Sequence, residues 1–507
     1  MQKLPIGIQT FKDIQTQNYL YIDKTEIALE LIENFRYVFL SRPRRFGKSL
    51  FLDTLHNIFE GNKNLFEGLD IYDRWDFDDT YPVIRIDWSG NFKTLESTKG
   101  VAKKILEENQ HRLGVECATD MATDMCFREL IQKAYEKYQK PVVILIDEYD
   151  KPILDNIEDI QRAHENRDFL RGIYVQLKAN DAFIKFAFLT GITKFARASI
   201  FSGLNNIEDI SLSPKFGNIC GYTQNDIETT LLSHLEGVDL DKLKKWYNGY
   251  NFLKDDIYNP FDILKFIRGG QMYDNYWWES GNPYNLITLL QNREFYLPNL
   301  QNIRVDKSIL ASFDIEKIQI ESLLFQAGYL TIDHMIEKRN KIEYLLKVPN
   351  MEIQISLNQL LIDYFTQRVE SRIQDDIYDH LESGDTQALE QSLVSLFASI
   401  PYSNYTKNKI AIYEGYYASV LYAYFAALGI DIMAEDVTST GRIDITLLLE
   451  DKIYILEFKV GTEDALEQIK QNNYAQKYLS RGKDIYLVGI NFNEQSRGIV
   501  GFECERV

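Results

Sequence analysis

The chain has 507 residues, 45% of them hydrophobic and 26% charged, so it is long enough for roughly two to four globular domains. Its formal net charge of −19 argues against a protein that coats nucleic acid with its whole surface, although a local basic groove remains compatible with it. The sequence has no run of about 18 apolar residues, which predicts no membrane span. Its first residues lack the apolar core of a signal peptide, so we expect no association with a membrane.

The cysteines are few and widely spaced. The chain has four of them, Cys117, Cys126, Cys220 and Cys504, and no CxxC pair. Scattered cysteines without a disulfide framework are typical of proteins from reducing compartments. We therefore expect four free thiols and a cytoplasmic location.

Residues 37–200 alternate short apolar runs (YVFLS, YPVIRIDWS, PVVILIDEYD and FIKFAFLTGI) with helical stretches. This alternation is typical of a parallel sheet with helices on both faces. A mostly helical, aromatic-rich region follows, and the chain ends in a helix, a hairpin, a further helix and a strand, which predict a second α/β unit. The predicted protein is therefore α/β in four parts: an α/β domain over 1–210, a helical lid-like domain over 211–335, a helical connector over 336–400 and an α/β domain over 401–507.

The stretch YVFLSRPRRFGKSLFL, residues 37–52, predicts a strand, a basic turn and a helix. Such a turn directs backbone N–H groups and the positive end of the helix dipole at one point, where a phosphate binds. Gly47 has no Cβ to keep a phosphate away, Lys48 is placed to reach the terminal phosphates, and the Ser49 hydroxyl is placed to bind Mg²⁺. The stretch therefore predicts a nucleotide site.

This turn departs from the usual phosphate-binding loop at one position. Arg42 stands where a glycine is expected, five residues before Gly47, and Pro43 removes one N–H donor. Because guanidinium groups bind phosphate oxygens well, we expect Arg42, Arg44 or Arg45 to compensate. The predicted nucleotide-binding residues of the turn are Arg44, Arg45, Phe46, Gly47, Lys48, Ser49 and Leu50.

The run VVILIDEYD ends in two acids, Asp147 and Glu148. Buried parallel strands present their last residues at the carboxyl edge of the sheet, where ligands bind. We expect Asp147 to orient the Mg²⁺ shell and Glu148 to polarise the attacking water. A solvated acidic turn is the alternative, and the upstream GKS turn weighs against it.

A third strand end carries hydroxyl groups. The run FAFLTGITKF ends in Thr190 and Thr193, and we take Thr190 as the residue that senses the γ-phosphate, although polar strand ends are common in any case. Arg171 and Arg197 are the arginine-finger candidates, with solvated surface arginines as the alternative. Neither stands out, so the sequence identifies no arginine finger.

The stretch GRIDITLLLEDKIYILEFKVG predicts a β-hairpin with polar side chains among apolar ones. If residues 450 and 451 form a two-residue turn, Asp444 lies opposite Glu457. If the turn lies one residue later, Asp444 lies opposite Lys459. In either register the three polar side chains share one face, whereas a three-residue turn would require a bulge to keep this.

Two facing carboxylates repel each other and are costly to desolvate unless a cation neutralises them. A divalent metal binds such oxygens, so we predict Asp444 and Glu457 as metal ligands, with the Phe458 carbonyl as a further oxygen. Lys459 would then stabilise negative charge developing on a phosphate or position a water. The pattern indicates a metal-dependent nuclease; a plain amphipathic hairpin with an exposed polar face is the alternative.

Two flanking helices supply further candidates. Glu414 lies at the start of an otherwise apolar and aromatic helix, where an acid either faces the metal or simply favours the helix dipole. After the hairpin, TEDALEQIKQNNYAQKY predicts a helix capped by Thr462 or its neighbours. Gln468 and Tyr474 either line the site from this helix or are a surface and a core residue. We take Glu414 and Gln468 as catalytic candidates.

Several of these stretches closely resemble a bacterial AAA-ATPase-like family, whose members usually end in a PD-(D/E)XK nuclease-superfamily domain. WYNGYNF and IYNPFDIL are similar to the middle region of that family, and the hairpin with ALEQIKQNNYAQKY resembles the nuclease domain. The resemblance spans nearly the whole chain, and the family itself has Arg-Pro-Arg-Arg where a glycine is expected. The N-terminal stretches are YIDKT (21–25), RPRRFGKSL (42–50), LIDEYDKP (145–152), FLTGITKF (188–195) and SIFSGLNN (199–206).

The resemblance implies a P-loop NTPase fold for the N-terminal sheet and a restriction-endonuclease-like fold for the C-terminal domain. One departure from the wider nuclease superfamily is that Ile443, and no proline, precedes Asp444. Carried over by position, the resemblance implies Lys48 and Ser49 in the phosphate loop, Asp147 as the magnesium acid, and Asp444, Glu457, Lys459 and Gln468 in the nuclease site.

We therefore expect an ATPase whose ATP and Mg²⁺ state gates a nuclease that uses Mg²⁺ or Mn²⁺ and cleaves DNA more than RNA. Protein partners and an oligomer are compatible with the sequence. Two alternatives stay open. One is a nucleotide-dependent switch whose nuclease fold is an inactive interaction module, which the net charge of −19 favours. The other is an ATPase that remodels protein without DNA.

Overall fold

The computed structural model describes residues 2–195, 206–279, 303–307, 310, 319–338, 341–366, 372–399, 414–461, 463–493 and 498–507. The chain forms two compact units: unit 1 comprises Met1–Gly281 and Arg304–Asn350, and unit 2 comprises Asn282–Ile303 and Met351–Val507. The predicted α/β class, with an N-terminal parallel sheet, a helical middle and a C-terminal sheet domain, is confirmed. The four-part division of the chain stays a prediction.

Unit 1 is built on a five-stranded sheet. Its strands are β1 (Tyr37–Ser41), β2 (Val83–Asp87), β3 (Val142–Asp147), β4 (Ile184–Gly191) and β5 (Glu208–Asp209). They lie in the order β2-β3-β4-β1-β5, and each adjacent pair is parallel. All six residues of β3 are buried, as expected for a continuous apolar run at the centre of a doubly covered sheet.

The carboxyl ends of these strands meet at one edge of the sheet. Ser41 at the end of β1 is the register partner of Gly191 in β4, and Asp87 at the end of β2 is the partner of Asp147 in β3. The polar residues that follow the apolar runs are therefore brought together by the parallel topology.

Helices follow the strands of this sheet, and further helices come after its last strand in the chain. One of them, α3, begins directly after the basic turn that follows β1. The helices of unit 1 are α1 (Phe11–Thr16), α2 (Thr25–Asn34), α3 (Lys48–Phe59), α4 (Leu95–Leu113), α5 (Thr123–Tyr138), α6 (Lys151–Leu154), α7 (Ile160–Ala179), α8 (Gln224–Glu228), α9 (Leu240–Tyr247), α10 (Pro260–Arg268), α11 (Tyr276–Glu279) and α12 (Ile320–Ala327).

Two small sheets complete unit 1. The strands are β6 (Tyr250–Asn251), β7 (Asp256–Ile257), β8 (Ile303–Asp306), β9 (Thr331–Lys338) and β10 (Lys341–Lys347). β6 pairs with β7, and the others form a sheet in the order β8-β10-β9. The helical pattern expected around residue 336 did not anticipate β9 and β10. Most of their side chains are at least partly exposed, so the apolar alternation that identifies a strand is weak there.

Unit 2 carries a mixed five-stranded sheet. Its strands are β11 (Asp431–Val437), β12 (Arg442–Leu448), β13 (Lys452–Val460), β14 (Asp484–Phe492) and β15 (Ile499–Arg506), in the order β11-β12-β13-β14-β15. Only β13 and β14 pair in parallel, and the crossover between them contains the helix Ala465–Gln471 (α17). The other helices are α13 (Met351–Thr366), α14 (Arg372–Ser383), α15 (Thr386–Ser399) and α16 (Glu414–Ala427).

The expectation of four free thiols is wrong for one pair. Cys117 and Cys126 form a disulfide between the end of α4 and the start of α5, where the short connection brings their Cα atoms to 5.5 Å. Cys220 and Cys504 are free. Among the helices that the structure describes, none has both the length and the apolar character needed to cross a bilayer.

Candidate functional site

The first candidate site is the turn between β1 and α3. Gly47 is the N-cap of α3 with a left-handed backbone (φ 93°), a conformation that favours glycine. A Cβ at this position would meet no protein atom within 4 Å. The backbone angle, rather than crowding, therefore requires the glycine, and the space beside the first N–H groups of the helix stays open to a phosphate.

Lys48 is held in place by the turn itself. Its side chain is 8% exposed, and Nζ donates to the carbonyl oxygens of Arg42 and Pro43, both at 2.9 Å. Burial lowers the pKa of this ammonium, and the nearby carboxylates of Asp147 and Asp150 oppose that shift. An ammonium has three donors, so one remains for a phosphate oxygen.

Ser49 and Asp147 are brought together across the sheet edge. Burial raises the pKa of Asp147, and the neighbouring Ser49 hydroxyl and the Lys48 charge oppose that shift. A hydroxyl beside a carboxylate is the donor set that Mg²⁺ takes next to a phosphate. The residues present therefore fit a Mg²⁺–nucleotide.

Arg42 does not face this site, which corrects one expectation. Its side chain is 1% exposed and lies 3.9 Å from the centre of the Phe252 ring. Burial lowers its pKa to about 10. Its guanidinium donates to the carbonyl oxygens of Ser41 (2.9 Å), Ser211 (2.8 Å), Phe216 (3.1 Å) and Gly217 (3.3 Å). Arg42 therefore anchors the turn, because its guanidinium binds these carbonyls and does not face the phosphate site.

The next residues of the turn divide between surface and core. Arg44 and Arg45 are exposed, with the Arg45 guanidinium 5.0 Å from the centre of the Phe261 ring. Phe46 is buried against Tyr250, so it reaches a nucleotide only through its backbone. Leu50 lies within α3 and is half-buried. Arg44 and Arg45 thus remain the arginines of this turn available to phosphate.

Glu148, the predicted base, follows Asp147 in a left-handed conformation (φ 51°), which is uncommon for a residue with a side chain. Its N–H donates to Asp147 Oδ1 at 2.9 Å, and its carboxylate lies 3.0 Å from Lys151 Nζ. Such a strained backbone conformation is typical of functional sites.

The hydroxyls at the end of β4 have different surroundings. Thr190 is fully buried, and its Oγ1 has no hydrogen-bond partner among the residues that the structure describes. Thr193 donates its hydroxyl to Asp150 at 2.6 Å, so it is committed within the protein. Arg171 is exposed on α7, and Arg197 lies outside the described residues. Sequence reasoning missed Asp150, whose only signal was that it is the third acidic residue in the run IDEYD.

The second candidate site is the hairpin of unit 2. The N–H of Leu449 donates to the Lys452 carbonyl at 2.9 Å, so residues 450 and 451 form the turn, as in the first predicted register. The pairing continues as far as Ile445 with Leu456, and the next position places Asp444 beside Glu457. There the Asp444 carboxylate accepts the Phe458 N–H at 2.9 Å.

Four predicted residues come together at this point. Glu457 is 2% exposed, and Lys459 Nζ lies 3.9 Å from its Oε1. Gln468 of α17 donates its Nε2 to the same oxygen. Asp444 is half-buried beside them. Within the described residues no three His, Cys, Asp or Glu side chains are grouped to hold a metal, so these carboxylates offer a two-acid site.

The flanking candidates have mixed outcomes. Tyr474 is a core residue, since it is 2% exposed and donates its hydroxyl to the Arg442 carbonyl at 3.0 Å. The N-cap of α17 is Asp464, whereas Thr462 lies outside the described residues. Helix α16 begins at Glu414, whose side chain also lies outside the described part of the chain.

Two family models match the chain, one within unit 1 and one within unit 2. Residues 5–201 match the AAA-ATPase-like family model, described as predicted AAA-ATPase, and residues 412–502 match the PDDEXK_9 model of the PD-(D/E)XK nuclease superfamily. The chain is 44% identical over 512 residues to the "Uncharacterized protein in vnfD 5'region" of Azotobacter chroococcum mcd 1, covering 99% of each chain.

Two solved structures show a weak likeness. The ORC2 protein of Aeropyrum pernix, in ADPNP and ADP complexes, is 10% identical with a TM-score of 0.28, over 67% of this chain and 93% of that one. The ORC1 protein of the same organism, in complex with DNA, is 11% identical with a TM-score of 0.25, over 66% and 91%. Likeness this low says nothing of function.

Proposed function

Because the chain belongs to the AAA-ATPase-like family and has a C-terminal domain of the PD-(D/E)XK nuclease superfamily, we propose that it is an ATP-hydrolysing nuclease. In this proposal unit 1 binds and hydrolyses ATP. Unit 2 hydrolyses phosphodiester bonds in nucleic acid, DNA more than RNA. The ATP state of unit 1 gates the cleavage by unit 2.

The observation that carries the ATPase proposal is the position of Lys48, which two backbone carbonyls hold beside the Ser49 hydroxyl and the Asp147 carboxylate. Lys48 places its remaining N–H donor on a terminal phosphate oxygen, while Ser49 and Asp147 hold Mg²⁺. When bound, that ion neutralises charge on the phosphates as the bond to the leaving group breaks. Glu148 orients the attacking water and accepts its proton.

The nuclease proposal is supported by the buried carboxylate of Glu457 beside Asp444. These two acids would hold Mg²⁺, or Mn²⁺ in its place, and the bound ion would activate water and stabilise the charge of the leaving oxygen. Lys459 supplies a positive charge for the phosphate as it becomes more negative. Gln468 fixes the orientation of Glu457 through its amide.

The test uses full-length protein with supercoiled plasmid and either Mg²⁺ or Mn²⁺, with and without ATP. We expect nicking or linearisation that depends on metal and changes with ATP. Lys459→Ala and Asp444→Ala should abolish cleavage and leave ATP binding intact, whereas Lys48→Ala should abolish ATP binding. Cleavage that survives both unit 2 substitutions would remove the nuclease assignment, since it would come from elsewhere.

One observation favours a second function, a nucleotide-dependent switch whose unit 2 binds a protein partner. Acidic residues outnumber basic ones in 414–507, and several of the basic side chains are already neutralised by ion pairs. A phosphate backbone needs unpaired cations, so this surface is a poor one for DNA. The pairs are Arg442–Glu435, Lys452–Asp451, Lys470–Glu505, Lys477–Asp436 and Arg506–Asp484.

Salt dependence separates the two functions. A nuclease should bind DNA with an affinity that falls as salt rises, because each phosphate contact releases counterions. A switch should hydrolyse ATP at a rate that DNA does not change, and it should not bind DNA even at low salt. The Asp444→Ala variant permits this measurement without cleavage.

A further inference from the structure

A buried carboxylate outside the predicted site joins the ends of β3 and β4. Asp150 is 1% exposed, and its Oδ2 accepts three hydrogen bonds. The donors are the N–H of Ile192 (3.0 Å), the N–H of Thr193 (2.6 Å) and the hydroxyl of Thr193 (2.6 Å). The turn after β3 is thereby fastened to the loop that follows β4.

The close approach at this point leaves no room for a side chain on the loop. A Cβ at Gly191 would lie 2.4 Å from Asp150 Oδ1 and 2.6 Å from Cδ1 of Tyr149. Tyr149 adds two further ties, since its N–H donates to the Thr190 carbonyl (3.0 Å) and its hydroxyl to the Thr193 carbonyl (3.0 Å). These contacts join the ends of β3 and β4 rigidly to each other.

This fastening sets the relation between two groups of the proposed ATPase site. Glu148 stands two residues before Asp150, and Thr190 stands two residues before Ile192 on the neighbouring strand. The Thr190 hydroxyl is buried with no partner among the described residues, whereas buried hydroxyls in folded proteins nearly always have one. A phosphate oxygen of a bound nucleotide would supply that partner.

We propose that Asp150 is a positioning residue for ATP hydrolysis, which holds Glu148 and Thr190 in the arrangement that serves one terminal phosphate. This rests on the proposed ATPase function. Asp150 itself touches neither nucleotide nor water. Binding is the task of the turn before α3, so loss of the Asp150 contacts slows turnover and leaves nucleotide affinity nearly unchanged.

Two variants of the full-length protein test this. Asp150→Asn keeps one carbonyl oxygen that can take the place of Oδ2 but removes the negative charge, so all three hydrogen bonds to it become weaker. Thr193→Val removes only the hydroxyl donor and keeps both backbone bonds. The loop is also tied from another side, where the Lys194 N–H donates to Gln326 Oε1 at 3.0 Å, so Thr193→Val should fold. Asp168→Asn, at an exposed acid on α7, is the matched control.

The measurements are ATP turnover, the Kd of a non-hydrolysable ATP analogue with Mg²⁺, and amide hydrogen exchange. We expect kcat to fall roughly tenfold in Thr193→Val and roughly hundredfold in Asp150→Asn, because small misplacements of catalytic groups cost this much. The Kd should stay within about threefold in both, since a lost transition-state contact leaves ground-state binding alone. In the wild type the analogue should slow exchange at Ile192 and Thr193, and in Thr193→Val it should slow it less.

Wild-type kcat in Thr193→Val overturns the inference, whether or not Asp150→Asn folds. Equal losses in turnover and analogue affinity overturn it as well, because they would indicate a general structural role. If the wild type hydrolyses ATP and both variants match it, only the inference fails. If the wild type neither binds nor hydrolyses ATP, the proposed function fails, and the inference falls with it.

Discussion

The Arg42 guanidinium lies 3.9 Å from the centre of the Phe252 ring and donates to backbone carbonyls of a segment far along the chain, including that of Ser211. A side chain at the entry of the phosphate-binding turn thus serves as its anchor. Most phosphate loops have a glycine at this position. Here the arginine is accommodated because its side chain packs into the core and bonds to backbone distant in sequence.

Arg42→Ala should destabilise unit 1 by about 3 kcal/mol, because it leaves buried carbonyl oxygens without their charged donor. Arg42→Lys should be intermediate, since it keeps the charge but loses the planar fork that reaches several acceptors. Chemical denaturation of the full-length protein measures both. Arg171→Ala, which removes an exposed arginine, is the control. An unfolding midpoint of Arg42→Ala equal to that of the control would show that the anchor contributes nothing.

Gln468→Leu should lower cleavage roughly tenfold to hundredfold and raise the metal concentration needed for half-maximal rate, as expected for loss of a side chain that orients a metal ligand. The reason is that its amide holds Glu457 Oε1. Gln471→Leu is a matched control on the same helix, where the exposed amide donates to Glu467 and not to a residue of the site. Similar metal dependence for the two variants would contradict the orienting role.

Gly489→Ala should disturb the same site through packing. Gly489 is the register partner of Glu457, and a Cβ there would lie 2.4 Å from the Leu466 backbone nitrogen, so α17 would have to move away from β14. We expect a loss of about 2 kcal/mol in stability, typical of overpacking, together with reduced cleavage. Thermal unfolding and the plasmid assay check this.

Gly498→Ala is the control for that substitution, because a Cβ at Gly498 would meet no atom within 4 Å. It should unfold and cleave as the wild type does. Wild-type stability and cleavage in Gly489→Ala would contradict the close packing of α17 against β14.

Asp147→Asn should raise thermal stability at neutral pH while it impairs hydrolysis. Burial raises the folded-state pKa of Asp147 above its ordinary value near 3.8. A group with a raised pKa contributes stability below the unfolded pKa and loses that contribution as pH rises through the folded pKa. The asparagine variant does not titrate, so its advantage should be largest at neutral pH and shrink as the pH falls toward 3.8.

Unfolding scans of the variant and the wild type between pH 4 and 7 provide the comparison, with Asp168→Asn as the exposed control. A stability advantage of Asp147→Asn that grows toward low pH would reverse the sign and refute the assignment. The scans are made without ATP and Mg²⁺, so that bound ligand does not contribute to the stability difference.

Features that depend on neighbours in sequence followed from the residues themselves. The run into Gly47, Lys48 and Ser49 predicted a strand, a turn and a helix, because each step is set by local propensity and backbone geometry. The hairpin register was narrowed to two choices because side chains alternate along a strand. The tight turn at residues 450 and 451 then selected the one that pairs Asp444 with Glu457.

Features that join distant parts of the chain were decided only by the tertiary structure. Burial of Arg42 and the contact of Asp150 with Thr193 each depend on where two separate segments meet. A side chain's local pattern is the same whether it faces solvent or a backbone carbonyl. Which group it contacts depends on how segments that are distant in sequence pack together, and the local sequence does not contain that information.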